Sequence, residues 1–201
     1  MGFGPDLRAV LFDFDGTLFD LEVDWAALRA GLALHAGETL GAAIQRFKDT
    51  GDPILERITA AEVAAVGDQR LDPAVVATLR GLAGRFALAV CTRNSRAAVM
   101  AALAGTGLED TVLVVGREDV ARLKPDPEAI EVALARVGAR PEQAVLVGDT
   151  YHDVEAGRAA GTGVVVLVNE RLARVPEGAD RYVKVFTELP QLFTEDTEES
   201  T

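Results

Sequence analysis

The sequence is poor in cysteine, lysine, histidine and long apolar runs. Its single cysteine, Cys91, cannot close an intrachain disulfide, which points to a reducing compartment. The longest branched apolar stretch, Val164–Val168, is far too short to cross a bilayer. The N-terminus has neither the basic start nor the apolar run of a signal peptide, and lacks the Ser or Thr at position 6 of a myristoylation signal. A cytoplasmic protein is the expectation. Basic residues number 20 against 32 acids, a net charge of −12, which argues against nucleic-acid and anionic-membrane partners. Only Lys48, Lys124 and Lys184 are lysines, so each position is informative.

What is present is ordinary globular material: 201 residues, 49% hydrophobic and 26% charged, enough for one compact domain with an insertion. Five apolar runs rich in β-branched residues read as strands: Ala9–Phe14, Phe86–Cys91, Thr111–Val115, Ala144–Val147 and Gly163–Val168. They are continuous rather than alternating, as in strands covered on both faces. Helical spacing lies between them at Ser95–Leu103, Pro127–Val137 and Asp153–Ala160. This alternation predicts an α/β fold, a Rossmann-like parallel sheet with right-handed crossovers and helices on both faces. Chemistry in that architecture gathers at the carboxyl ends of the strands.

The first interval breaks the rhythm, with 71 residues from Asp15 to Arg85. Apolar spacing marks several helices there: Trp25, Leu28 and Leu32, then Leu40, Ile44 and Phe47, then Leu55, Ile58 and Val66. Asp24 and Asp52 read as N-caps, the latter before a Pro53 at the first helical position, and Gly37, Gly51 and Gly67 mark helix ends. The helix near Pro73–Leu82, capped by Asp72, reads as the crossover of the main sheet. The expected division is an α/β core at 1–20 and 71–193, a small helical cap at 21–70, and a disordered acidic tail at 194–201.

The strand ends carry the chemistry. The first ends in Asp13-Phe14-Asp15-Gly16-Thr17, two carboxylates that are costly together unless a cation or a shared proton relieves them. The second ends in Cys91-Thr92-Arg93-Asn94, and the third leads to Lys124-Pro125-Asp126-Pro127, where Asp126 reads as a helix cap. The fourth ends in Gly148-Asp149-Thr150-Tyr151-His152-Asp153. Acids from two strands suit Mg²⁺, which takes oxygen ligands. A hydroxyl and a lysine suit the oxygens of a transferring phosphoryl group.

These four motifs, in this order, closely resemble the haloacid dehalogenase superfamily in its Mg²⁺-dependent phosphatase branch, of the phosphoglycolate-phosphatase type but with a shorter cap. The resemblance implies that Asp13 attacks phosphorus to give an aspartyl-phosphate, and that Asp15 protonates the leaving oxygen and then activates water. It implies Mg²⁺ on Asp13, the backbone carbonyl of Asp15 and Asp149, with Asp153 holding the site directly or through water. Thr92 and Lys124 would hold phosphoryl oxygens. The acid at position 15 favours phosphatase over dehalogenase, because an alcohol leaving group needs a proton and a halide does not. The implied substrate is a small phosphorylated metabolite. A phosphosugar mutase, a receiver-like phosphoacceptor domain and a non-catalytic binding protein are the alternatives, the receiver disfavoured by motif order and by the long insertion.

Many relatives place Asn directly after the second-motif Thr or Ser; here Arg93 intervenes and the amide is Asn94. Asn94 reads either as a substrate or Asp13 contact or as a helix N-cap, and Arg93 either as a surface arginine or as the reader of a second anionic group. Arg46, Lys48 and Arg57 read as solvated helix faces, His35 as structural, and His152 as a loop histidine near the site. Cys91 reads as a packed, inert thiol, and Asp20 as a cap or hinge at the start of the insertion.

Overall fold

The computed structural model describes residues 6–32, 34–169 and 177–193. The acidic tail expected at 194–201 lies outside the described residues. Six parallel strands form one sheet: β1 (Ala9–Phe12), β2 (Ala87–Cys91), β3 (Val112–Val115), β4 (Ala144–Gly148), β5 (Val164–Val168) and β6 (Arg181–Val183), in the order β3-β2-β1-β4-β5-β6. The helices are α1 (Trp25–Ala30), α2 (Leu40–Thr50), α3 (Ile54–Val66), α4 (Pro73–Ala83), α5 (Arg96–Leu103), α6 (Glu128–Val137) and α7 (Tyr151–Ala160). This is the Rossmann-like fold that the alternation of strands and helices predicts.

The strands are continuously apolar because side-chain alternation sends each residue into one of two covered faces. Val10, Phe12, Leu88, Val90, Val145 and Val147 enter one cluster, with α4, α5 and the 3-10 turn Phe186–Phe193. Ala9, Leu11, Ala89, Cys91, Ala144 and Leu146 enter the other, with α6. Leu32, Ala43, Ile44, Phe47 and Ile58 belong to this second cluster too. The helices inserted after β1 therefore bury their apolar stripes against the same mass as the sheet.

Local rules set the ends. Asp24 caps α1 through Ala27 N, Thr39 caps α2 through Ala42 N, and Asp72 caps α4 ahead of Pro73. Gly51 ends α2 in the left-handed region and Gly67 ends α3. Asp52 accepts Ile54 N, so α3 starts one residue after Pro53. Gly37 does not end a helix. It stands in the turn between α1, which stops at Gly31, and α2. Strand β6 is additional to the five apolar runs, because a three-residue edge strand carrying Arg181 and Tyr182 has no apolar signature. Helix α7 begins at Tyr151 rather than Asp153, since its first turn is polar.

Register brings the motifs level. Phe12 pairs with Val90 on β2 and with Val147 on β4, so the residues after these strands emerge side by side. Asp13 N donates to Val147 O (2.8 Å), which carries the ladder one residue past β1.

Candidate active site

Asp13, Asp15, Lys124, Asp149, Arg93 and Asn94 line one cavity of about 460 Å³ at the carboxyl ends of β1, β2 and β4. Its outer wall comes from the insertion: Trp25 of α1, Leu40, Gly41 and Ile44 of α2, and Glu62 of α3. Thr92 and Asp153 do not line the cavity; they are 2% and 0% exposed.

Lys124 is the hub. Its ammonium lies 2.8 Å from Asp13 Oδ1 and 2.5 Å from Asp153 Oδ1. Burial alone would lower its pKa, but the two carboxylates overcome that and hold it above the ordinary lysine value. Asp153 answers in kind: burial opposes its charge, yet Lys124 and the Thr150 N–H and hydroxyl keep it below the usual carboxylate range. Both Asp153 oxygens are engaged, so this side chain fixes Lys124 and the start of α7.

Asp13 is pushed up to about 6, chiefly by burial, with Lys124 pulling the other way. Asp149 is pushed up to about 7 by burial and by the charges of Asp13 and Asp153. Its Oδ1 is buried and has no hydrogen-bond partner. Gly16, at φ +80°, turns the chain tightly beside it, and a Cβ there would fall 2.5 Å from Asp149 Oδ2. Carboxylate oxygens of Asp13, Asp149 and Asp153 lie within 4.8 Å of one another. A crowded acid set with an orphaned oxygen fits a cation, and these residues could hold a metal ion.

Asp15 Oδ1 accepts Leu21 N (2.8 Å). Burial, with lesser help from the charges of Asp20 and Glu62, raises its pKa, so the proton is kept to higher pH than on an ordinary aspartate. Thr92 Oγ1 donates to Asn94 Oδ1 (2.9 Å) and accepts Asn94 N (3.1 Å). Asn94 Nδ2 donates to Glu62 Oε1 (3.1 Å). Its amide is thus held between the second-motif hydroxyl and the insertion, while Ser95 is the residue that caps α5.

Glu62 is the functional-wall residue that sequence reasoning missed. It is 1% exposed, accepts Ser95 N (3.0 Å), and pairs with Arg117 Nη1 at 2.7 Å. A signal existed: Ile58, Glu62 and Val66 repeat every fourth residue, so an acid stands within an apolar stripe. Arg46 pairs with Glu38, and Lys48 lines a different cleft with Leu55 and Val63; neither belongs to this wall. His152 does line the cavity, in the first turn of α7, and stacks on Tyr151. Asp20 borders an adjoining cleft, which shares Gly16 and Asp149 with this cavity. Cys91 is buried in the second cluster, and burial pushes its thiol up to about 12, as suits a packing residue. Among the described residues, no helix is long and apolar enough to cross a membrane.

A phosphoglycolate phosphatase of Rhodospirillum rubrum is 32% identical over 190 residues, covering 80% of this chain and 79% of that protein. The pyrophosphatase PpaX of Bacillus pumilus is 43% identical over 90 residues, 44% of this chain and only 42% of that relative's length. Among solved structures, CbbY of Rhodobacter sphaeroides in complex with phosphate superposes with a TM-score of 0.63 at 24% identity, over 91% of this chain and 96% of that one, a likeness of fold. The family model described as haloacid dehalogenase-like hydrolase matches residues 10–167, and the chain belongs to that family.

Proposed function

We propose that the protein is a Mg²⁺-dependent phosphatase that hydrolyses a phosphate monoester of a small metabolite through an aspartyl-phosphate on Asp13, with the helices of residues 21–70 as its cap and the cytoplasm as its location. The observation that carries this reading is the convergence of Asp13, Asp15, Lys124 and Asp149 on one cavity, with an Asp149 oxygen that has no partner. The relatives named as phosphatases support it.

A carboxylate oxygen of Asp13 attacks phosphorus while the ester bond breaks, and Lys124 keeps that carboxylate ionised and offsets the phosphoryl charge. Asp15, holding its proton, gives it to the leaving oxygen. Asp15 then takes a proton from the attacking water, the bond from Asp13 to phosphorus breaks, and phosphate is released. Asp13 and Asp149, with Asp153 behind them, would hold Mg²⁺, which would supply positive charge against the phosphoryl oxygens. Thr92, assigned to a phosphoryl oxygen, is hydrogen-bonded to Asn94, and Asn94 keeps the loop in place through Glu62. The presence of Asp15 on the wall favours phosphate esters over haloacids.

The test is phosphate release with and without Mg²⁺ across a panel of metabolite monoesters, run beside Asp13→Asn. Release that needs both Mg²⁺ and Asp13 supports the reading. Release by Asp13→Asn at the same rate contradicts it, and sugar phosphates isomerised faster than they are hydrolysed would replace it by a mutase.

A further inference from the structure

Two cations face the cavity. Lys124 is committed to Asp13 and Asp153. Arg93 has no hydrogen-bond or ion-pair partner among the described residues. The nearest insertion acid on that wall, Glu62, is taken by Arg117, Asn94 and Ser95. The other residues that the insertion sets around the cavity, Trp25, Leu40 and Ile44, have apolar side chains that carry no acceptor.

The position of Arg93 is nonetheless specific. Its guanidinium lies over Gly41 in the first turn of α2, where a Cβ would fall 1.7 Å from Nη2 and 2.9 Å from Cζ. The helix has no side chain at the one place where the arginine crosses it. An arginine fork held against an apolar wall with none of its five donors used is incomplete, and the group that completes it best is a carboxylate or a phosphate. It stands on the same cavity as the proposed nucleophile but on the side formed by the insertion, where the part of the substrate that leaves would sit.

We propose that Arg93 binds a second anionic group, carboxylate or phosphate, on the leaving part of the substrate, and thereby selects phosphate monoesters whose leaving part is anionic over those of the same size whose leaving part is neutral. The inference rests on the phosphatase reading for the position of the substrate, but its test does not require turnover. Binding is measured by calorimetry with Mg²⁺ in an Asp13→Asn background, using 2-phosphoglycolate for a carboxylate, pyrophosphate for a phosphate, and ethyl phosphate as the probe whose leaving part carries no charge. At least one of the first two probes should bind roughly 10- to 100-fold tighter than ethyl phosphate, and which one identifies the source of the anion.

Adding Arg93→Met should bring that ratio close to one. Adding Gly41→Ala should lower it as well, because the new methyl displaces the guanidinium while the change favours the helix and leaves the fold intact. Binding of the first two probes no tighter than ethyl phosphate, or a ratio that both variants leave unaltered, would overturn the inference. A preference that depends on Arg93 in a protein that releases no phosphate from any ester would uphold this assignment and reject the phosphatase reading.

Discussion

Glu62 of the inserted helix α3 accepts the Asn94 side-chain amide at 3.1 Å, joining the insertion to the loop that carries Thr92. The same carboxylate pairs with Arg117, 2% exposed, so its removal leaves a buried guanidinium with only the Thr59 hydroxyl and, at 3.8 Å, the exposed Glu118 carboxylate. Glu62→Ala should destabilise the protein by about 3–5 kcal/mol in urea denaturation, and Glu62→Gln by less, since the amide still accepts from Asn94. A loss below about 1 kcal/mol for Glu62→Ala would show that the pair contributes little.

Lys124 screens two carboxylates, one of them fully buried. Lys124→Met should reduce kcat by roughly 10²-fold or more, judged by the effect of removing one preorganised donor from a reacting centre. Its stability loss should be larger at pH 7 than at pH 5. Without the ammonium, the folded-state pKa values of Asp13 and Asp153 rise, the folded protein holds protons that the unfolded chain has released, and stability falls as pH rises. Denaturation of both proteins at the two pH values checks the sign.

The same linkage applies to the wild type without metal. Asp13 at about 6 and Asp149 at about 7 lie above their ordinary 3.8, so metal-free stability should fall between about pH 5 and pH 7. Asp153, held low, is ionised in both states across that window and contributes nothing to the slope. His152, lowered by burial and by Arg93, acts in the opposite sense with a smaller displacement. Mg²⁺ should raise the melting temperature more at pH 7 than at pH 5, because it competes with protons for the same oxygens. Asp149→Asn should flatten both dependences.

Asp15 is raised chiefly by burial, as suits an acid that must donate. Asp15→Asn should slow hydrolysis of an alkyl phosphate by roughly 10²- to 10⁴-fold and of a nitrophenyl ester by much less, since a phenolate leaves without help. Equal losses on both esters would assign Asp15 a positioning role instead.

Much of this was legible in the sequence, for identifiable reasons. Both faces of the sheet are covered, so Ala9–Phe12 and Val164–Val168 are apolar throughout and stand out. Parallel register then forces Asp13, Thr92 and Asp149 to one edge. Glu62 was hidden because its partner Arg117 is 55 residues away and the pairing exists only once α3 packs against α5. The exposure of Arg93 to the cavity depends on an absent side chain at Gly41, and only the packing of α2 gives that absence meaning. Strand β6 buries only Val183 fully among its three residues, too short a run to leave an apolar pattern.

The central claim is that the phosphoryl group passes through Asp13. Its most direct test is borohydride trapping during turnover of a phosphate ester, followed by mass analysis of the peptide that contains Asp13. The account predicts reduction at Asp13 that requires substrate and Mg²⁺. Phosphate release with an unmodified Asp13, and at an undiminished rate in Asp13→Asn, would contradict it.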